Sequence, residues 1–321
     1  MGKRNISIRK NKKTKNKNKN KNYKGGRTIK KMNCSPMVDK KSPVKGSCFT
    51  EDVLQLLKQS YNKHHVNDPI ESDSPNKIWS ELKEKLKTCD KEDCWLDEIK
   101  DKRTRTKIDQ YIFAPDHPDE WNKNPDEWLS NFDIDSVLQQ YMETYKDFYA
   151  PPCSPIDYDV KPKEMKGNCV SNELCNFSLE NHMKNGKRKF GIVFNLSPHT
   201  SGGSHWVSVY VDTVDKFIFY MDSAGNKIPG KIQDLVNTLT QQGLEMNPAI
   251  EFKYYENYPL EHQMGNTECG MFSLFFIISM LSNKADKKVF HSAAEKIGFF
   301  INRRIPDKYV FRFRKIYFNE K

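Results

Sequence analysis

The chain has 321 residues, 36% of them hydrophobic and 30% charged, with a formal net charge of +11. That length holds one large domain or a core with an appendage, and the low apolar share implies that part of it never enters a core. No apolar leader opens the chain, the longest apolar stretch (272–281) is too short to span a bilayer, and "MGKRNI" lacks the hydroxyl residue of a myristoylation signal, so the expectation is an intracellular protein, not secreted and without a membrane partner.

The excess charge sits at the N-terminus, where residues 1–31 hold fourteen of the 53 basic residues and none of the 42 acidic ones, around a "KNKNKNKN" repeat. Such a segment buries too little apolar surface to offset its ordering entropy, so residues 1–33 are expected to form a disordered basic tail. It reads equally as a solubilising or nuclear-targeting segment and as a contact for DNA or RNA through phosphate neutralisation by residues 1–31. After it, "FTEDVLQLLKQSYNK" (49–63) follows a Thr cap with Val53, Leu56, Leu57 and Tyr61 at helical spacing, and "NKIWSELKEKLK" (76–87) repeats the pattern with Ile78, Leu82 and Leu86. These define a small helical arm, residues 34–110, whose apolar faces must pack on each other or on the main domain.

"APDHPDEWNKNPDEWLS" then reads as an irregular lead-in, rich in Pro, Asp and Trp, to a helix over 133–148 that turns Ile134, Val137, Leu138, Tyr141 and Tyr145 inward. Three strand candidates come next: "KFGIVFNL" (189–196), "HWVSVYVD" (205–212) and "KFIFYMD" (216–222), the last two joined as an antiparallel hairpin requires. A helix "PGKIQDLVNTLTQQG" leads to a strand "IEFKYYENY" (250–258), and helices from near Cys269 and over 293–303 complete a domain of residues 111–321. Strands grouped between helices with antiparallel pairing point to an α+β fold.

Eight cysteines at irregular spacings, in a long chain expected inside the cell, argue for free thiols rather than a disulfide framework. Cys89 and Cys94, with His64 and His65 upstream, are weak material for a zinc site because no second tight pair accompanies them. Cys269 differs from the rest. It opens a helix whose next residues are apolar enough to be buried, and the free N–H groups and dipole of a helix start stabilise a thiolate. Gly270 beside it would let a substrate backbone approach. An isolated Cys before an apolar run is more often core packing, so its neighbours decide.

His205 opens a strand after the flexible "SGGS", and the hairpin returns Asp222 to the same edge, which supplies a base and a group to orient it. Gln263, six residues before Cys269 in a loop bent by Gly265 and Asn266, can offer an amide N–H to an oxyanion alongside the Cys269 backbone N–H. The set "HW…DS…Q-x5-CG", realised as His205-Trp206, Asp222-Ser223, Gln263 and Cys269-Gly270, resembles the adenain and SUMO-specific protease superfamily of cysteine peptidases. Upstream, "EWLSNFDIDSVLQQY" is similar to that family's "WL-x-D…I" helix entry, with Asn131 where its Asp usually stands. The frame "P-x2-W…NP-x-EWL…DI…QY", then "PIDYD" and "GSHWVSVYVD", is similar to the maturation proteases of nucleocytoplasmic large DNA viruses, that of African swine fever virus included.

The resemblance implies a papain-like, adenain-like core with a mixed, largely antiparallel sheet flanked by helices. It implies that Cys269 attacks a scissile carbonyl, His205 moves the proton, Asp222 orients His205 and Gln263 holds the oxyanion. Trp128 and Trp206 would form a slot narrow enough to select Gly-Gly. Some viral relatives carry Asn as third member, which makes Asp222 the least demanding of the three. His199 and His262 have no counterpart and read as loop residues. The expected activity is processing of viral structural precursors after Gly-Gly-type motifs in the virion and host cytoplasm, with no cofactor or metal. Three alternatives stay open: deconjugation of a SUMO- or ubiquitin-like modifier, acyl transfer by the same triad, and a nucleic-acid-binding virion protein. Gly25-Gly26 inside the tail raises self-processing as a further possibility.

Overall fold

The computed structural model describes residues 28–320. Most of the expected tail, with its Gly25-Gly26 pair, lies outside the described residues. Its last residues belong to the fold: Met32 is buried, and the Asn33 side chain donates to the Lys315 and Phe318 carbonyls at 2.9 and 2.6 Å.

The arm is built from α1 (Glu51–His64), α2 (Pro75–Lys85) and α3 (Lys102–Ile112). Thr50 stands at the N-cap of α1, and Val53, Leu54, Leu57 and Tyr61 turn into an apolar cluster formed wholly within residues 32–113. The third helix escapes periodicity because "KRTRTKIDQYI" is mostly charged and only Ile112 is buried in it. Asn319 clasps the arm to the core. Its amide donates to the Asn33 and Ala114 carbonyls at 3.0 and 2.9 Å, while its oxygen accepts the Asn33 N–H at 2.7 Å.

Next comes α4 (Asn131–Thr144), opened by a capping box in which Ser130 and Asp133 satisfy each other's backbone N–H groups. Beyond it the chain builds a six-stranded mixed sheet. Its centre is β3 (Lys189–Asn195), β4 (Trp206–Asp212) and β5 (Phe217–Met221), paired antiparallel. The short β1 (Phe148–Tyr149) and β2 (Ser154–Pro155) add in parallel to β3, and β6 (Lys253–Glu256) adds in parallel to β5. The parallel β5–β6 step needs a crossover, which α7 (Gly230–Leu244) provides; the small α5 (Asn172–Cys175) and α6 (Leu179–Lys184) precede β3.

The central strands are buried on both faces, which is why they read as continuous apolar runs. Val207, Val209 and Val211 face the layer of α7, while Trp206 and Tyr210 face α8 (Cys269–Ser282). Buried over all but its last residue, α8 forms the middle of the core, closed by α9 (Ala293–Ile301), α10 (Asp307–Phe311) and α11 (Arg314–Tyr317). The fold is thus α+β, a mixed sheet between helical layers. Among the described residues no helix is long and apolar enough to cross a membrane.

The cysteines correct the expectation of free thiols. Cys34–Cys48, Cys89–Cys94 and Cys169–Cys175 are joined, their Cα atoms 5.1, 5.6 and 6.2 Å apart, within the reach of a bridge. Cys153 and Cys269 are free. Local folding creates the pairings, since each bridge closes a loop of modest length that spacing alone does not reveal. Cys89 and Cys94 therefore satisfy each other rather than a metal, and His65 faces Glu98 at 3.3 Å.

Candidate active site

The β4–β5 register pairs Ser208 with Met221. Continued one step it sets Val207 opposite Asp222, so His205, two residues further, shares a face with Asp222 as a diagonal neighbour. The side chains meet there: His205 Nε2 lies 2.6 Å from Asp222 Oδ1, with the carboxylate fully buried. Cys269 is close enough to the same imidazole to act on its charge. With Nε2 committed to Asp222, Nδ1 is the ring nitrogen left for the thiol. Burial by itself would lower the His205 pKa; the bond to Asp222, then the influence of Cys269 and both their charges, prevail and raise it to about 9.

Asp222 is held from behind by a residue that periodicity does not reveal. Asn257, just past β6, accepts the Asp222 N–H at 2.9 Å and donates to its carbonyl at 2.7 Å. Asp222 Oδ1 also accepts the Ala224 N–H at 2.8 Å, a local turn that fixes the carboxylate.

Gln263 is buried, and its amide is oriented by Ser223, whose hydroxyl donates to Gln263 Oε1 at 2.8 Å. Nε2 is thereby turned away from Ser223; one of its N–H groups goes to the Gly265 carbonyl at 3.0 Å and the second is left. The Gln263 backbone N–H donates to the Ser223 carbonyl at 2.8 Å, so the hairpin end and the Gln263 loop are zipped together.

Cys269 is the first residue of α8 and only 2% exposed. Gly270 behind it allows a close approach: a Cβ there would stand 3.1 Å from Leu129 Cβ and 3.3 Å from Trp206 Cδ1. The missing Cβ thus serves a contact with the protein's own chain. Trp206 is locked by its Nε1–H, which donates to the Leu129 carbonyl at 2.9 Å, whereas Trp128 is 39% exposed. Both tryptophans line a cavity of about 500 Å³ that also touches Asn131, Cys153, Ser154 and His199.

His199 and His262 are structural in their contacts. His199 pairs with Asp157 at 2.6 Å. His262 is fully buried, its Nε2–H donating to the Phe300 carbonyl at 2.9 Å and its Nδ1 accepting the Ile305 N–H at 3.0 Å. Burial, assisted by Arg304 and opposed by the Phe300 bond, pushes its pKa down to about 4. Among the described residues no cluster of three or more His, Cys, Asp or Glu side chains is arranged for a metal.

Residues 192–320 match the Ulp1 protease family, C-terminal catalytic domain. The chain is 31% identical over 192 residues to the SUMO-1 cysteine protease of African swine fever virus, an alignment that spans 58% of this chain and 66% of that protein, just under two thirds of its length. It is 30% identical over 159 residues to an Acanthamoeba polyphaga mimivirus protein named as a thiol protease, spanning 49% of each. In fold it is similar to the crystal structure of the African swine fever virus protease, with 23% identity and a TM-score of 0.60 over 92% of this chain and 98% of that one.

Proposed function

We propose that the chain, whose residues 192–320 match the Ulp1 protease family of cysteine peptidases, is a thiol endopeptidase with Cys269 as nucleophile. The observation that carries this reading is one imidazole bonded to a buried carboxylate and influenced by a thiol at a helix start. His205 takes the Cys269 proton, and the thiolate adds to the scissile carbonyl. The resulting oxyanion accepts the Cys269 backbone N–H and the spare Gln263 amide N–H, donors typically worth about 2.7–4 kcal/mol of barrier each. His205 then gives its proton to the leaving amine, and water, deprotonated by the same ring, releases the acyl group. Asp222 keeps the imidazole oriented and balances its charge.

The substrates we assign are polypeptides cleaved after Gly-Gly, the sequence that a slot between Trp128 and Trp206 favours, with viral structural precursors as the natural class. A virion and host-cytoplasm location belongs to this assignment. A second reading, cleavage of a SUMO-like modifier from its conjugates, is favoured by the name of the African swine fever virus relative. Gly-Gly-Xaa peptides assayed against conjugates of the folded modifier separate the two, since a deconjugase requires the folded partner. In either assay Cys269→Ala should abolish turnover; cleavage at the wild-type rate would end the peptidase reading. Residues 1–31 are assigned to nucleic acid on charge alone. Deleting them should remove salt-sensitive DNA retention and spare peptide cleavage, and DNA retention by the truncated protein would refute that role.

A further inference from the structure

Glu268 occupies the N-cap of α8, immediately before Cys269, yet its side chain makes no bond to the helix start. Ser, Thr, Asp or Asn normally stands at such a position and bonds a free N–H of the first turn. Here the carboxylate is buried and committed to Arg314, which comes from α11 at the far end of the chain. Arg314 Nε donates to Glu268 Oε2 at 3.1 Å and one Nη2 N–H to Oε1 at 2.9 Å, a two-pronged pair.

The rest of the guanidinium is equally occupied. The second Nη2 N–H goes to the Thr267 carbonyl at 3.1 Å, and the two Nη1 N–H groups go to the Pro125 and Glu127 carbonyls at 3.1 and 2.8 Å. All five donors of the fork are therefore spent, two on the Glu268 carboxylate and three on carbonyls of two backbone segments, one just before Cys269 and the other just before Trp128. Trp121 closes the arrangement, with its ring 4.3 Å under the guanidinium and its Nε1–H donating to the same Glu127 carbonyl at 3.0 Å.

We propose that Arg314 is a positioning residue that sets the Cys269 end of α8 against the Trp128 segment and neutralises the carboxylate next to the nucleophile. This rests on the reading of Cys269 as nucleophile. A negative charge one residue from a thiolate opposes its formation, and Arg314 cancels that opposition at the point where it also fixes both backbones. His205, with Asp222 behind it, acts on Cys269; Glu268, the residue before it, has Arg314 and Asp126 about it, and burial raises its pKa while the bond and charge of Arg314 lower it.

The test is the rate of iodoacetamide labelling at Cys269, followed by mass spectrometry across pH, beside steady-state cleavage of a Gly-Gly-Xaa peptide. In Arg314→Met the labelling curve moves to higher pH and kcat falls roughly 10²-fold. In Glu268→Gln the curve moves to lower pH. Arg314→Lys lies between wild type and Arg314→Met, because an ammonium keeps the charge and loses the fork. A merely structural staple would move Arg314→Met and Glu268→Gln in the same direction or leave both curves in place, and either result overturns the proposal. If Arg314→Met does not fold, Glu268→Gln and Arg314→Lys decide by the same criterion. Cleavage that survives Cys269→Ala would instead defeat the underlying reading while the labelling curves still responded, so the two failures are distinguishable.

Discussion

At the scale of single residues, the sharpest consequence of the geometry is a pH limit. His205 is raised to about 9, so its imidazolium is present below that pH and lost as pH rises through it. Asp222→Asn keeps an acceptor for His205 and removes the charge, so the alkaline limb of kcat/KM should move down toward the ordinary histidine value near 6.5, with kcat lower by roughly 10²-fold. An unmoved limb would mean that Asp222 does not set the charge state of His205. The proposed site residues His205, Asp222, Gln263 and Cys269 stand out in the sequence only as a joint pattern, of which the structure brings His205 and Asp222 together at the hairpin edge. Ser223, Asn257 and Arg314 do not stand out, because their roles arise across separations of 40, 35 and 46 residues. Arg314 is the plainest case. It lies in the basic "RFRK" run, which looks like a solvated surface, yet it is 4% exposed.

At the scale of elements, periodicity finds the helices that bury one strong face. The helices expected over 49–63, 76–87 and 133–148 appear as α1, α2 and α4, shifted by a few residues at their ends. It does not find α3, whose surface is charged, or the two-residue β1 and β2, which owe their existence to β3. Helix α8 shows no amphipathic stripe because it is buried all round, and its length and apolar character identify it instead. Its first turn joins core to site through Gly270. Gly270→Ala forces Leu129 and Trp206 to give by a few tenths of an ångström, and Trp206 also lines the cavity. The expected result is a folded enzyme with kcat/KM lower by roughly tenfold or less. A lower melting temperature with unchanged kinetics would show that the contact serves packing alone.

At the scale of the whole molecule, the feature hidden from sequence reading is long-range closure. Asn319 bonds Asn33 and Ala114, Asn33 also bonds Lys315 and Phe318, and Gln140 bonds the Gln110 and Phe113 carbonyls, whereas the three disulfides close local loops that irregular spacing does not reveal. Asn319 is five residues beyond Arg314, so the C-terminal segment grips the arm at one point and the segments ending at Cys269 and Trp128 at another. Asn319→Ala orphans the Asn33 N–H and takes one donor each from the Asn33 and Ala114 carbonyls. Leaving a buried backbone group without its partner costs about 1–3 kcal/mol, and the part-buried Asn33 N–H falls at the lower end of that range. The variant should therefore melt earlier and be cut faster by an added protease in the 114–118 connection between arm and core. Its peptide cleavage should fall as well, since slack at Asn319 reaches Arg314 through the single short helix α11. Wild-type protease resistance in Asn319→Ala would show that the apolar contacts between arm and core hold them together without the clasp. Wild-type turnover in a variant whose arm has loosened would show instead that the arm is mechanically independent of the site.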